Sequence, residues 1–206
     1  RLGTIMQQMQ RWSGKERCTH GPVRLHDVLE HSLHMVQHQL AGKFISLNRS
    51  FNATPDAVQG NDHQLEQVFV NLLLNAVEAS SPKGSLTIAT ELVTGASPRP
   101  GPPHVRITVA DTGMGIAAEH LDRMFEPFFT TKGVGKGTGL GLATVYGVII
   151  QNHGMIDVES HPGKGSIFRI YLPGHATQSA SMKDLSQVEV KRGTESILLV
   201  EDEEYV

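Results

Sequence analysis

"EPFFTTKGVGKGTGLGLATVYGVI", residues 126–149, sets a strip rich in glycine and threonine directly in front of an apolar run. Gly137, Thr138 and Gly139 lead into Leu140 and Gly141, where a helix is expected to begin. Backbone N–H groups at a helix start attract phosphate, and glycines leave them exposed. Thr130, Thr131 and Lys132 add hydroxyls and a positive charge. Residues 117–138 read either as a plain mobile loop or as a lid that orders over a ligand. Two familiar phosphate motifs are excluded. There is no G-x-G-x-x-G in the strip and no G-x-x-x-x-G-K-[ST] anywhere in the chain.

Outward from the strip, the elements follow from hydrophobic spacing. On its C-terminal side, residues 139–152 predict an apolar helix, and "GMIDVES" and "GSIFRIYLP" predict a hairpin around "HPGKG". On its N-terminal side, "HVRITVAD" and "SLTIATELV" read as strands joined by the polar loop "TGASPRPGPP". A long helix is expected from Asn61 to Ser80, with Asn61 or Asp62 as N-cap and "SSPKG" as its stop. "FISLNRSF" alternates like a strand, and residues 26–41 form an amphipathic helix with Leu29, Leu33, Val36 and Leu40 on one stripe. "CTHGPVRL" reads as a connector, and residues 1–14 as the tail of a longer helix ended by Ser13 and Gly14. Strands that follow one another without intervening helices predict an α+β fold. The expected architecture is a two-layer α/β sandwich, whose mixed, mostly antiparallel sheet is covered on one face by helices.

Composition bounds the function. The 206 residues suffice for one domain with appendages, and 39% hydrophobic residues can fill one core. A net charge of −3 argues against a broad surface for nucleic acid. Cys18 is the single cysteine, which rules out an internal disulfide and suits a reducing, cytoplasmic compartment. No apolar stretch reaches the ~18 residues needed to span a bilayer, and the opening "RLGTIMQQMQRW" lacks the apolar centre of a signal peptide. The chain starts without Met and stops at "LLVEDEEYV", so it is expected to be a piece of a longer protein.

Two further stretches carry candidate chemistry. In "LEQVFVNLLLNAVEAS", Leu65, Val68, Phe69, Leu72 and Ala76 share one helical sector, the core stripe. Asn71, Asn75 and Glu78 fall in a sector beside it. That sector is either a polar face in water or an oxygen-rich wall for a hard cation such as Mg²⁺ and for phosphates. In "VRITVADTGMGI", Asp111 ends a strand and Gly113 and Gly115 follow at once. The stretch is either a simple turn or a site where the carboxylate accepts from an exocyclic amine such as adenine N6, with backbone close to a flat ring.

In order along the chain stand Asn71-x3-Asn75, Asp111-x-Gly113-x-Gly115, Phe125-x-Pro127-Phe128, Gly137-x-Gly139-x-Gly141 and Gly163-x-Gly165-Ser166-x-Phe168. This series closely resembles the catalytic ATP-binding domain of bacterial sensor histidine kinases, a fold shared with gyrase, Hsp90-type and MutL-type ATPases. The resemblance covers residues 22–173. It implies that Asn75 is the Mg²⁺ ligand, that Asn71 faces the phosphates one turn earlier, and that Asp111 binds adenine N6 with Gly113 and Gly115 beside the ring. It implies a lid box at "FEPFFTTK", with Thr130, Thr131 and Lys132, and a glycine box of Gly137, Thr138, Gly139, Leu140 and Gly141 around the triphosphate. Ser166 stands where the family often has Thr near the base.

The related ATPases carry a water-activating Glu where this chain has Asn71, a difference that fits a kinase. Many family members have a basic residue three after the metal Asn; here it is Glu78, which could help hold Mg²⁺ through water. The alternatives are an ATPase of the same fold and a degenerate nucleotide-binding scaffold.

The resemblance also implies domain boundaries and partners. Residues 1–20 would end a dimerisation and phosphoacceptor helix and its connector, with Met6 and Trp12 as packing residues. Residues 21–174 would be the catalytic domain and 175–194 a linker. "ESILLVEDEE" resembles the first strand of a response-regulator receiver domain, so 195–206 would open one, with Glu201 and Asp202 as its acidic pair. The implied partners are that receiver and a phosphoacceptor histidine domain, within a full-length homodimer that could be membrane-attached. His31, His34 and His38 lie opposite the Leu29/Leu33/Val36/Leu40 stripe and are expected to face solvent. The His26-Asp27 pair falls in what the resemblance makes the first helix of the catalytic domain, so the phosphoacceptor is placed before Arg1.

Overall fold

Alternation in "SLTIATELV", "HVRITVAD" and "GSIFRIYLP" puts every second side chain on one face, and the register of the sheet aligns these faces. The computed structural model describes residues 20–94, 103–133 and 137–175, all within the compact unit Arg1–Ala176. Its elements are β1 (Gly21–Arg24), α1 (Leu25–Gly42), β2 (Ser46–Phe51), β3 (Ala57–Gly60), α2 (Asp62–Ala79) and β4 (Ser85–Val93). They continue with β5 (His104–Asp111), α3 (Ala118–Leu121), α4 (Gly141–Gln151), β6 (Met155–His161) and β7 (Gly165–Pro173). Five strands form one sheet in the order β2-β4-β5-β7-β6. The β2–β4 pair is parallel and the other three are antiparallel.

Ile88 stands opposite Val109, which stands opposite Phe168; the next row pairs Ile107 with Ile170. All five are buried, in one core with Leu29, Leu33, Leu65, Phe69, Leu72 and Ile149 of the helices. The alternate positions carry ion pairs instead: Arg106 with Glu91, and Arg169 with Asp157 and Glu159. The result is an α+β sandwich with a mixed, mostly antiparallel sheet whose apolar face is covered by helices.

Two differences from the sequence reading stand out. "GPVR", assigned to a connector, is strand β1, paired antiparallel with the equally short β3 from Gly21↔Gly60 to Arg24↔Ala57. Each has four residues, too few for alternation to register, and Pro22 is tolerated because an edge strand leaves its missing donor unused. Within the stretch assigned to a flexible lid, Ala118–Leu121 is a helix. Turn hydrogen bonds then run from Arg123 N–H to His120 O and from Glu126 N–H to Arg123 O. The predicted helix at 139–152 begins at Gly141, with Leu140 as its N-cap.

Helix α2 positions the site, and both its ends are fixed. The Asn61 side chain accepts from Gln64 N–H at 3.0 Å, the N-cap arrangement that satisfies an otherwise orphaned donor. At the far end Lys43 donates to the carbonyls of Val77, Glu78 and Ser80 at 2.7, 3.2 and 3.0 Å, a cation on the negative end of the helix dipole. Leu65, Val68, Phe69, Leu72, Leu73, Ala76 and Val77 are buried, and each large apolar side chain so removed from water contributes about 2 kcal/mol. That stripe sets the rotation of the helix and turns Asn71, Asn75 and Glu78 to one flank.

His31, His34 and His38 are exposed, as their helical position predicted; His31 pairs with Glu66 at 3.1 Å. His26 is a packing residue. Its ring stacks on Phe51 at 5.1 Å and its Nε2 meets Thr90 Oγ1 at 2.8 Å. Among the described residues no helix is long and apolar enough to cross a membrane. The helix tail of residues 1–14, the linker beyond His175 and the Glu201–Asp202 pair lie outside the described residues.

Candidate active site

The flank of α2 meets the strip at residues 126–149. Asn71 Nδ2 donates to the Gly141 carbonyl at 3.4 Å. A Cβ on Gly141, the first residue of α4, would stand 3.9 Å from Asn71 Cγ and 4.0 Å from Asn75 Nδ2. The N-terminal end of α4 therefore faces the amide wall. Lys132 reaches across to the same wall: its ammonium donates to Asn75 Oδ1 at 3.4 Å and pairs with Glu78. The Asn75 oxygen thus faces the Lys132 ammonium.

The lid box and the glycine box are bound to each other. Phe128 N–H donates to the Gly139 carbonyl at 2.9 Å. Gly139 has φ +66°, and a Cβ there would stand 2.3 Å from the Phe128 carbonyl carbon. A side chain at Gly137 would meet Thr130 Oγ1 at 2.7 Å, and that hydroxyl accepts from Lys132 N–H at 3.1 Å. Thr138 Oγ1 accepts from Leu140 N–H at 3.4 Å. Thr131 is exposed, and no side-chain hydrogen bond ties it to the site among the described residues.

The other end of the flank carries Asp111. Ala79, the last residue of α2, accepts from Met114 N–H at 3.0 Å. Gly113 lies so close that a Cβ would stand 2.6 Å from the Ala79 carbonyl and 2.7 Å from Asp111 Oδ1. Asp111 Oδ1 accepts from Gly113 N–H at 2.7 Å, and the backbone of Ser166, its cross-strand neighbour, also favours the charged carboxylate. Burial pushes the Asp111 carboxyl above the usual carboxylate range, and these two backbone groups partly oppose the shift. Ser166 is the cross-strand partner of Asp111, so both side chains project on one face. Gly115, at φ +69°, abuts the His161 carbonyl, where a Cβ would stand 2.1 Å away.

From Asn71 to Ala79 the helix rises about 12 Å. Two amides, the start of α4 and a lysine thus mark one end of a strip of surface, and a buried strand-end carboxylate with two backbone-tight glycines marks the other. The first end presents groups suited to phosphates and a cation, the second an acceptor suited to an amine on a flat ring. A separate hollow lined by Val23, Arg24, Asp27, Gly60 and Asp62 lies at the opposite end of α2, about 20 Å along the helix from Asn75, and brings no candidate residue together.

Sequence reasoning missed one residue of this region. Ser160, at the end of β6, is buried and bonds to Ile116, Gly165 and Ser166. A polar residue closing a strand is unremarkable in sequence, and these contacts exist only once the turn at 161–165 folds back.

Comparisons with known proteins place the chain in a family. Residues 60–176 match the family described as histidine kinase-, DNA gyrase B-, and HSP90-like ATPase. The chain is 37% identical to the sensor kinase CckA of Brucella abortus, an alignment covering all of this chain and 23% of that protein. It is 38% identical to the sensor histidine kinase ZraS of Klebsiella oxytoca, over 86% of this chain and 37% of that protein. The chain thus spans well under half the length of these relatives. Among solved structures, the mycobacterial sensor histidine kinase MprB superposes with a TM-score of 0.64 at 28% identity, covering 76% of this chain and 99% of that one. The catalytic domain of histidine kinase ThkA gives 0.64 at 26% identity, over 75% and 95%. The full-length ShkA bound to AMPPNP also gives 0.64 at 26%, over 75% and 31%. With this fold, this wall of amides and a family match across more than half its length, the chain belongs to the histidine kinase-, DNA gyrase B- and HSP90-like ATPase family.

Proposed function

We propose that this chain is the catalytic part of a two-component sensor histidine kinase. It binds ATP along the flank of α2 and transfers the γ-phosphoryl group to a histidine on a dimerisation domain. In the full-length protein the working unit is a homodimer, the site faces the cytoplasm, and the phosphoryl group passes on to a response-regulator receiver. On this reading residues 21–174 are the catalytic domain, flanked by the end of the dimerisation helix, a linker at 175–194 and a receiver opening at 195–206.

The observation that carries the reading is the meeting of Asn71, Asn75, Lys132 and the Gly141 end of α4 on one side chain wall, with Asp111 at its other end. The names of the two relatives given above, a sensor kinase and a sensor histidine kinase, and the AMPPNP complex of ShkA support it. Asp111 reads the adenine amine, with Gly113 and Gly115 against the ring and Ser166 alongside. Gly137, Thr138, Gly139, Leu140 and Gly141 offer backbone donors to the triphosphate, and Thr130, Thr131 and Lys132 of the lid close over it.

The wall fits Mg²⁺. The oxygens it offers a metal ion are Asn75 Oδ1 and the Glu78 carboxylate, and the Lys132 ammonium already rests on both. When bound there, the metal ion would neutralise charge on the phosphates. Asn75 is the direct ligand in this reading, and Glu78 acts through water. In the transfer, a ring nitrogen of the acceptor histidine bonds to the γ-phosphorus as the bond to the bridging oxygen breaks. ADP leaves with that electron pair, and the ring proton passes to solvent. Positioning and charge neutralisation carry the rate, because Asn71 stands where the related ATPases place a carboxylate base.

The test is phosphorylation in trans. The chain, given radiolabelled ATP and a separate dimerisation domain carrying the acceptor, should label a histidine and release phosphate only slowly without the acceptor. Rapid phosphate release with no labelled histidine would favour an ATPase of the same fold. Failure to bind ATP would leave a scaffold.

A further inference from the structure

The direction of one hydrogen bond beside Asp111 follows from counting protons. Ser160 Oγ accepts from Ile116 N–H at 2.8 Å. Its single proton goes to the Gly165 carbonyl at 3.0 Å, which can only accept. Its remaining lone pair faces Ser166 Oγ at 2.9 Å. Ser160 has no second proton to give, so Ser166 is the donor in that contact. The Ser166 hydroxyl hydrogen is thereby committed to Ser160, and toward any other group Ser166 presents lone pairs alone.

Ser166 and Asp111 are cross-strand partners on one face and both are buried. The carboxylate is likewise an acceptor when ionised. Two neighbouring acceptors therefore address whatever occupies the base end. We propose that Ser160 is a positioning residue for base selection: by holding Ser166 as an acceptor beside Asp111, it favours a 6-amino purine over a 6-oxo purine. The proposal rests on the assignment of Asp111 to the base. A 6-amino group brings two hydrogens to the two acceptors, whereas a 6-oxo group sets a third acceptor against them and leaves only the neighbouring N1–H to donate, so one acceptor stays unpaired and affinity is lost.

The experiment compares binding of ATP and inosine triphosphate, which differ at this edge of the ring, by calorimetric titration. Ser160→Ala frees the Ser166 hydroxyl to rotate and donate, so the preference for ATP should fall about tenfold. In a Ser166→Ala background the same substitution should change the preference no further, because Ser160 acts only through Ser166. A purely structural role would weaken both nucleotides by the same factor and leave the ratio unchanged, and that result overturns the proposal. Should Ser160→Ala fail to fold, Ser160→Cys keeps the volume close while its sulfur is a poor acceptor; a smaller fall in the ratio is expected, and an unchanged ratio again overturns it. A wild-type preference that Asp111→Asn removes but neither Ser160 variant alters sinks this inference alone. A wild-type chain with no preference sinks it together with the assignment of Asp111.

Discussion

Asp111→Asn is expected to weaken ATP binding about a hundredfold, with little change in the stability of the fold. Two donors converge on this carboxylate in the bound state: Gly113 N–H, present in the structure at 2.7 Å, and the adenine amine. An amide has one acceptor oxygen. Its NH₂ must therefore face a donor, and a buried hydrogen bond to a charged group is replaced by a clash of like poles. That loss is worth about 3 kcal/mol, or two factors of ten in affinity. Stability responds differently. Burial raises the Asp111 carboxyl above the usual carboxylate range, so the folded state binds the proton more tightly than the unfolded chain. Its contribution to stability is full below the unfolded value and is lost as pH rises through the folded one. At neutral pH the ionised group is a burden on the fold, and a neutral amide relieves it while losing a hydrogen bond. Nucleotide affinity of the wild type should also fall as acid protonates the carboxyl. Adenine itself takes up a proton in acid, so the difference between wild type and Asp111→Asn isolates the protein's share. Calorimetry at several pH values with thermal denaturation measures both. Near-normal affinity in the variant removes Asp111 from the base.

Asn75→Ala should lower phosphotransfer at least about a hundredfold, while ATP affinity changes by less than about tenfold. The Asn75 oxygen is the atom that would ligate the metal ion in this reading, and it already accepts from the Lys132 ammonium. The base end, with Asp111, Gly113 and Ser166, shares no side-chain hydrogen bond with Asn75 among the described residues and should keep its hold on the purine. Before nucleotide binds, Lys132 retains Glu78 as a partner in the variant, so the resting lid keeps an anchor. Single-turnover labelling of the acceptor histidine, set against titration of the nucleotide, separates the two effects. A variant that transfers at the wild-type rate has no metal at Asn75.

The parts of this site that lie within one element were readable in advance. The three polar residues of α2 stood out because a strong apolar stripe fixes the helix rotation and leaves Asn71, Asn75 and Glu78 no other face. Strands β4, β5 and β7 carried unambiguous alternation, and Asp111 sits at the very end of one. What escaped the sequence depends on tertiary contact. Strands β1 and β3 are strands only because they pair with each other. Helix α3 is a single turn inside a stretch whose glycines and threonines argued for a loop. The Lys132–Glu78 pair joins positions 54 apart, and the three bonds of Ser160 depend on a loop 44 residues upstream and on a turn that returns the chain to it. No local pattern encodes such meetings.

A crystal structure of the chain with Mg²⁺ and a non-hydrolysable ATP analogue tests the single-cleft account most directly. The account predicts the adenine amine within hydrogen-bonding distance of Asp111, the metal ion on the Asn75 oxygen, and Lys132 turned from Glu78 toward the phosphates. A nucleotide lying elsewhere on the molecule, or one whose purine and metal ion leave either Asp111 or Asn75 untouched, would contradict it.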